Sequence, residues 1–218
     1  MHKKIGTNII HCIGDSHVSI FNGTDNISMG GELPYSKDTH PNFKSYNLGP
    51  ALAYNLNKKG HKWNNLLNNV LKNIPKKDYI LLSFGQIDCC NHLPKQKILQ
   101  PERSYIEIIK ECVNKYFSVI KNIKEEGFNV IVYGPVIPQY CEYAQYNRED
   151  KKFALKLFTE YLSLLCKDNN ILHISMYDKL TDKNDMLIKH YYRETMHLNT
   201  NAFELVINEL KINQILNS

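Results

Sequence analysis

The chain has 218 residues, 43% of them hydrophobic and 22% charged, and a formal net charge of +5. That is enough for one sizeable core, so a single domain over residues 1–218 is the economical expectation. The basic residues are mostly lysines scattered in pairs (Lys3 and Lys4, Lys58 and Lys59, Lys76 and Lys77, Lys151 and Lys152), with no arginine-rich arm and no basic stripe interleaved with aromatics. They read as a solvated surface, which argues against a nucleic-acid partner.

No stretch reaches the ~20 apolar residues that cross a bilayer. Residues 1–14 begin basic, but the apolar run is short and broken by His11 and Cys12. That is too short for a signal-peptide core, so a cytoplasmic location is expected. The six cysteines, Cys12, Cys89, Cys90, Cys112, Cys141 and Cys166, lie mostly in apolar runs. They read as free buried thiols rather than a disulfide framework. Cys89, Cys90 and His92 lack a second ligand pair that would complete a zinc site, so no metal or cofactor is implied.

Residues 8–13 form the first strand candidate, followed at once by the turn Gly14-Asp15-Ser16-His17. Residues 22–41 are rich in Gly, Asn, Asp and Pro and read as a loop. A short strand is expected at 45–48, then a helix opened by Gly49-Pro50 through about 57. A second helix is expected at 63–73, a buried strand at 79–84, and a loop beyond Gly85. Residues 101–126 have helical spacing of Tyr105, Ile108, Ile109, Cys112, Val113, Tyr116, Phe117 and Ile120, with Gly127 as the stop. A strand follows at 129–133. Then comes a helix at 150–168 with Phe153, Leu157, Tyr161, Leu164 and Leu165 on one face. A last strand at 171–175 and a closing helix at 201–216 complete the pattern. Alternating strands and helices predict an α/β fold: a three-layer αβα sandwich around a parallel sheet of about five strands. Segments 15–17, 49 and 85–92 all follow strands, so they should meet at the sheet's carboxyl edge, where open α/β folds bind ligands.

A serine hydroxyl becomes a nucleophile when a histidine takes its proton and an acid holds that histidine's tautomer. Ser16 follows a buried strand at the start of an expected helix. Taken alone, it reads more simply as an N-cap. His197 lies just before the last helix and Glu194 three residues upstream. Alone, these would be a polar helix-start residue and a solvated charge.

Together these residues resemble the SGNH/GDSL hydrolase superfamily, marked by four short blocks in fixed order. The first block stands as Gly14-Asp15-Ser16. Asn47-Leu48-Gly49-Pro50 looks like the second, whose glycine N–H lines the oxyanion hole. Gly85-Gln86-Ile87-Asp88 occupies the third, normally Gly-x-Asn-Asp. Glu194-Thr195-Met196-His197 occupies the last, normally Asp-x-x-His. The resemblance covers most of the chain and implies a flavodoxin-like fold and serine-dependent ester chemistry. It makes Ser16 the nucleophile, His197 its base and Glu194 the orienting acid. Gly49, Asp15 and Asp88 are expected on the oxyanion and substrate side.

Two departures stand out. Glutamate replaces aspartate at 194, a change other serine triads tolerate. Ile87 stands where the third block supplies an asparagine donor to the oxyanion, a donor worth roughly 3 kcal/mol. Asn91 and His92, just beyond, are the candidate substitutes. The segment Gly85-Gln86-Ile87-Asp88-Cys89-Cys90-Asn91-His92 is also similar to Gly-Glu-Ile-Asp-Cys-Arg-x-His in a subgroup associated with bacterial surface-polysaccharide loci, so Ile87 is a subgroup habit. Gln86 and Cys90 replace that pattern's charged pair. Tyr133-Gly134-Pro135 with Pro138, and the helix end Leu164-Leu165-Cys166, extend the likeness.

The expected function is therefore hydrolysis of a small acyl ester, foremost an O-acetyl group on a carbohydrate. Acyl transfer to a glycan on the same scaffold is one alternative. A non-catalytic glycan-binding or scaffold protein retaining the fold is another. Residues 22–42 and 138–148, with Tyr140, Tyr143 and Tyr146, are expected to shape the pocket, although surface-loop tyrosines would look the same.

Overall fold

The structure, a computed structural model, describes residues 9–23, 40–136, 146–183, 187–193 and 197–216. Five parallel strands, β1 (Ile10–Gly14), β2 (Phe43–Asn47), β3 (Tyr79–Ser83), β4 (Asn129–Tyr133) and β5 (Leu172–Ile174), form one sheet in the order β2-β1-β3-β4-β5. The strands are short and apolar on both sides, as a sheet covered on both faces requires. Alternate residues feed two cores. Ile13, Ile80, Leu82 and Val132 pack under α1 (Lys62–Leu71), α3 (Tyr105–Glu125) and α4 (Arg148–Asp168). Ile10, Cys12, Leu81, Ile131 and Tyr133 pack with the 3-10 turn Ser16–Asn22, the short α5 (Tyr177–Leu180) and α6 (Thr200–Ile212). This is the three-layer α/β sandwich expected. Gly14 is in register with both Asn47 and Ser83, which aligns the carboxyl ends of the three central strands. The order reverses between β1 and β3, and the crevice there is where such sheets take ligands.

Local chemistry sets the helix ends. Ser104 and Glu107 form a reciprocal capping box at the start of α3. Gly127, at φ +92°, follows that helix. Cys12, Cys89, Cys90, Cys112 and Cys166 are buried thiols, while Cys141 lies outside the described residues. No helix among the described residues is long and apolar enough to cross a membrane.

Three expectations need correction. Residues 50–57 form only the 3-10 turn Ala53–Asn55. Leu48, Ala51, Ala53 and Leu56 are all buried, so this segment lacks the polar face of a surface helix. Residues beyond Gly85 are helical rather than a loop: a wide π turn Asp88–His92 runs into α2 (Leu93–Leu99), with Pro94 accommodated in its first turn. In α4 the buried stripe is Ala154, Leu155, Phe158, Leu162 and Cys166, whereas Phe153 is 44% and Leu164 57% exposed. The helix turns small residues and Phe158 inward because the Phe158 ring packs against Gly85, where an added Cβ would come within 2.8 Å of it.

Candidate active site

The turn after β1 depends on Gly14. A Cβ there would sit 2.3 Å from the Ser83 carbonyl oxygen, so only glycine lets β1 and β3 close this tightly. Asp15, fully buried, is the cap of the 3-10 turn: its Oδ1 accepts from the His17 N–H at 2.9 Å. Ser16 is thus the first residue of the turn rather than its cap.

His197 arrives from the far end of the chain. Tyr192 and Leu198 form an antiparallel bridge, and the Arg193 N–H donates to the His197 carbonyl at 3.0 Å. Asn199 caps α6, accepting from the N–H groups of Asn201 and Ala202. The cap function that sequence alone allowed for His197 is therefore filled by Asn199. His197 Nε2 lies 3.2 Å from Ser16 Oγ, across 181 positions of chain. A hydroxyl within hydrogen-bond reach of a buried imidazole nitrogen is the pairing nucleophilic catalysis needs. Glu194 lies outside the described residues.

The remaining predicted residues fall into supporting positions. Gly49 adopts φ +78°, and its N–H donates to Asn47 Oδ1 at 2.8 Å. An oxyanion role for that N–H therefore requires the Asn47 amide to give way. Asp88 is fully buried and accepts from the Ala53 N–H at 2.7 Å, the Tyr54 N–H at 3.2 Å and the Cys112 thiol at 3.5 Å. Burial lifts its carboxyl to about 6 despite those bonds. Asp15 and Asp88 are both 0% exposed; Asp15 Oδ1 and both Asp88 oxygens accept from the protein, so the two brace the site from inside, while Asp15 Oδ2 is buried without a hydrogen-bond partner among the described residues. His92 is half-buried on the π turn. Its ring lies 4.7 Å from that of Tyr54, and its basicity is lowered by burial and then by Lys115 and Lys95. The Tyr54 hydroxyl in turn donates to Glu111 of α3 at 3.0 Å. Asn91 is half-buried on the same π turn.

Gln86 and Cys90, the replaced pair, do meet. Gln86 Nε2 donates to Cys90 Sγ at 3.3 Å while its Oε1 accepts from the Val136 N–H at 2.7 Å. One amide therefore ties the third block to the segment after β4. A small cavity is lined by His17, Ser83, Phe84, Gln86, Tyr133, Gly134, Pro135, Val136 and Leu198. Of the expected pocket tyrosines, Tyr140 and Tyr143 lie outside the described residues, and Tyr146 is half-buried.

Sequence reasoning missed one residue, His17. Its Nδ1 donates to Asp15 Oδ1 at 2.9 Å, and its ring stacks on that of His197, centroids 4.7 Å apart and planes at 28°. The only signal for it was its place next to the serine.

Comparison with known proteins bears on the fold and the family. A search of curated protein sequences finds no match. Among solved structures, a GDSL-like lipase from Bacteroides thetaiotaomicron is 12% identical, with TM-score 0.61 over 99% of this chain and 93% of that one. An acetyl xylan esterase is 16% identical, with TM-score 0.58 over 94% and 99%. A phospholipase A1 from Streptomyces albidoflavus is 14% identical, with TM-score 0.56 over 94% and 99%. At these identities the structures speak to the fold. The family model for GDSL-like lipase/acylhydrolase matches residues 10–210, nearly the whole chain, and with it the chain belongs to that family of ester hydrolases.

Proposed function

We propose that the protein hydrolyses a small acyl ester, foremost an O-acetyl group on a carbohydrate, through Ser16, His197 and Glu194. The observation that carries the reading is the 3.2 Å approach of His197 Nε2 to Ser16 Oγ. Ser16 Oγ attacks the acyl carbonyl as its proton passes to His197, and His197 returns that proton to the departing sugar hydroxyl. Water then releases the acyl group with His197 again as base. Glu194 orients His197. The N–H groups of Ser16 and Gly49 hold the oxyanion, the latter once Asn47 Oδ1 releases it, with Asn91 or His92, just beyond the third block, as the side-chain donor.

The carbohydrate is supported by the acetyl xylan esterase built on the same fold. The test is fluorophosphonate labelling together with p-nitrophenyl acetate hydrolysis. The wild type is expected to label at Ser16 and turn over. Ser16→Ala should lose labelling and about 10⁴-fold or more of the rate. Equal rates in the two proteins would overturn the reading. Partition of the acetyl-enzyme between water and added sugar then separates hydrolysis from transfer.

A further inference from the structure

Two imidazoles, not one, stand beside Ser16. Asp15 Oδ1 accepts from both the backbone N–H and Nδ1 of His17, each at 2.9 Å. Two bonds from one residue to one buried oxygen leave the His17 ring little rotational freedom. Because an ionised carboxylate only accepts, Nδ1 carries the ring proton. The ring so held lies flat against His197, 4.7 Å away at 28°. His17 is itself mostly covered, with its side chain 13% exposed.

We propose that His17 is a positioning residue: an aromatic plate, clamped by Asp15, that confines the His197 ring so that its Nε2 addresses Ser16 Oγ. This rests on the Ser16–His197 reading above. His197 sits at the end of a short bridge rather than inside a helix or strand, so its backbone alone does not hold its ring. A wall on one face removes rotamers that turn Nε2 away from the hydroxyl. The same aromatic face suits the positive charge His197 takes on when Ser16 loses its proton. The first block would then serve twice, supplying the nucleophile and, through Asp15 and His17, the alignment of its base.

The test compares two substitutions of similar bulk. His17→Leu fills the space without a plane, and His17→Phe keeps the plane without Nδ1. Fluorophosphonate labelling of Ser16 is expected to slow about tenfold or more in His17→Leu, since small misalignments of a base are costly. His17→Phe should stay within about fivefold of wild type, though less stable because Asp15 loses one of its donors. Wild-type labelling by His17→Leu, or His17→Phe as slow as His17→Leu, overturns the proposal. A second arm needs no activity. In a Ser16→Ala background, NMR signals of the His197 ring should report one conformation, retained with His17→Phe and averaged with His17→Leu. An unchanged His197 ring in His17→Leu also overturns it. If the wild type failed to label, the esterase reading would fall, and this arm alone would decide the role of His17.

Discussion

Ser16 owes its placement to the residue two before it. The Gly14 Cα lies so close to the Ser83 carbonyl that a methyl group there would overlap it at 2.3 Å. Gly14→Ala is therefore expected to cost about 2–3 kcal/mol of stability, in the range of other overpacked sites. It should also push Ser16 off its line to His197. Urea denaturation together with fluorophosphonate labelling checks both, and a variant with wild-type stability would show that β1 and β3 can part without cost. At this scale the sequence was informative about Ser16 and His197, because ordered motifs marked them. It was less so about their neighbours. Asp15 and Asp88 belong to the motifs, yet only their burial reveals them as braces. A carboxylate looks the same in a sequence whether it meets water, substrate or a row of backbone N–H groups.

Elements show how tertiary bonds override local pattern. The Gly49-Pro50 start promised a helix, but Asp88 takes the N–H groups of Ala53 and Tyr54 from across the fold, and only a 3-10 turn forms. Asp88 thereby ties the third block to the second. Its pH dependence follows from its raised carboxyl, about 6 in the folded protein against 3.8 ordinarily. The folded state holds this proton more tightly than the unfolded chain does. The stabilising contribution is therefore complete below the unfolded value and lost as pH rises through about 6, for a change of up to about 3 kcal/mol. Urea midpoints measured from pH 4 to pH 7 should fall less steeply in Asp88→Asn than in wild type. Parallel curves would remove Asp88 as the cause. The inward face of α4 was equally hidden. Its apolar residues run round more than half the helix, so periodicity admits more than one stripe, and contact between Phe158 and Gly85 selects the one that is buried.

At the scale of the whole molecule the site is a product of assembly. Ser16 follows the first strand and His197 precedes the last helix, and they meet only when α6 and the 3-10 turn Ser16–Asn22 close over the same face of the sheet. Loss of Ser16 labelling should accordingly coincide with loss of the far-ultraviolet circular dichroism signal as urea rises. Labelling that persists past that transition would mean that Ser16 reacts without His197. The sequence by itself determined the alternation of strands and helices, the parallel sheet and the family, and it marked positions 16 and 197 as candidates. Those follow from local propensity and from motifs written in consecutive letters. Only the tertiary structure decided which carboxylates are internal, which face of α4 turns inward, that Gln86 reaches Cys90, and that His17 lies flat on His197. Each of these depends on contacts between segments far apart in the chain, and a contact across the fold has no local signature until the sheet brings its two sides together.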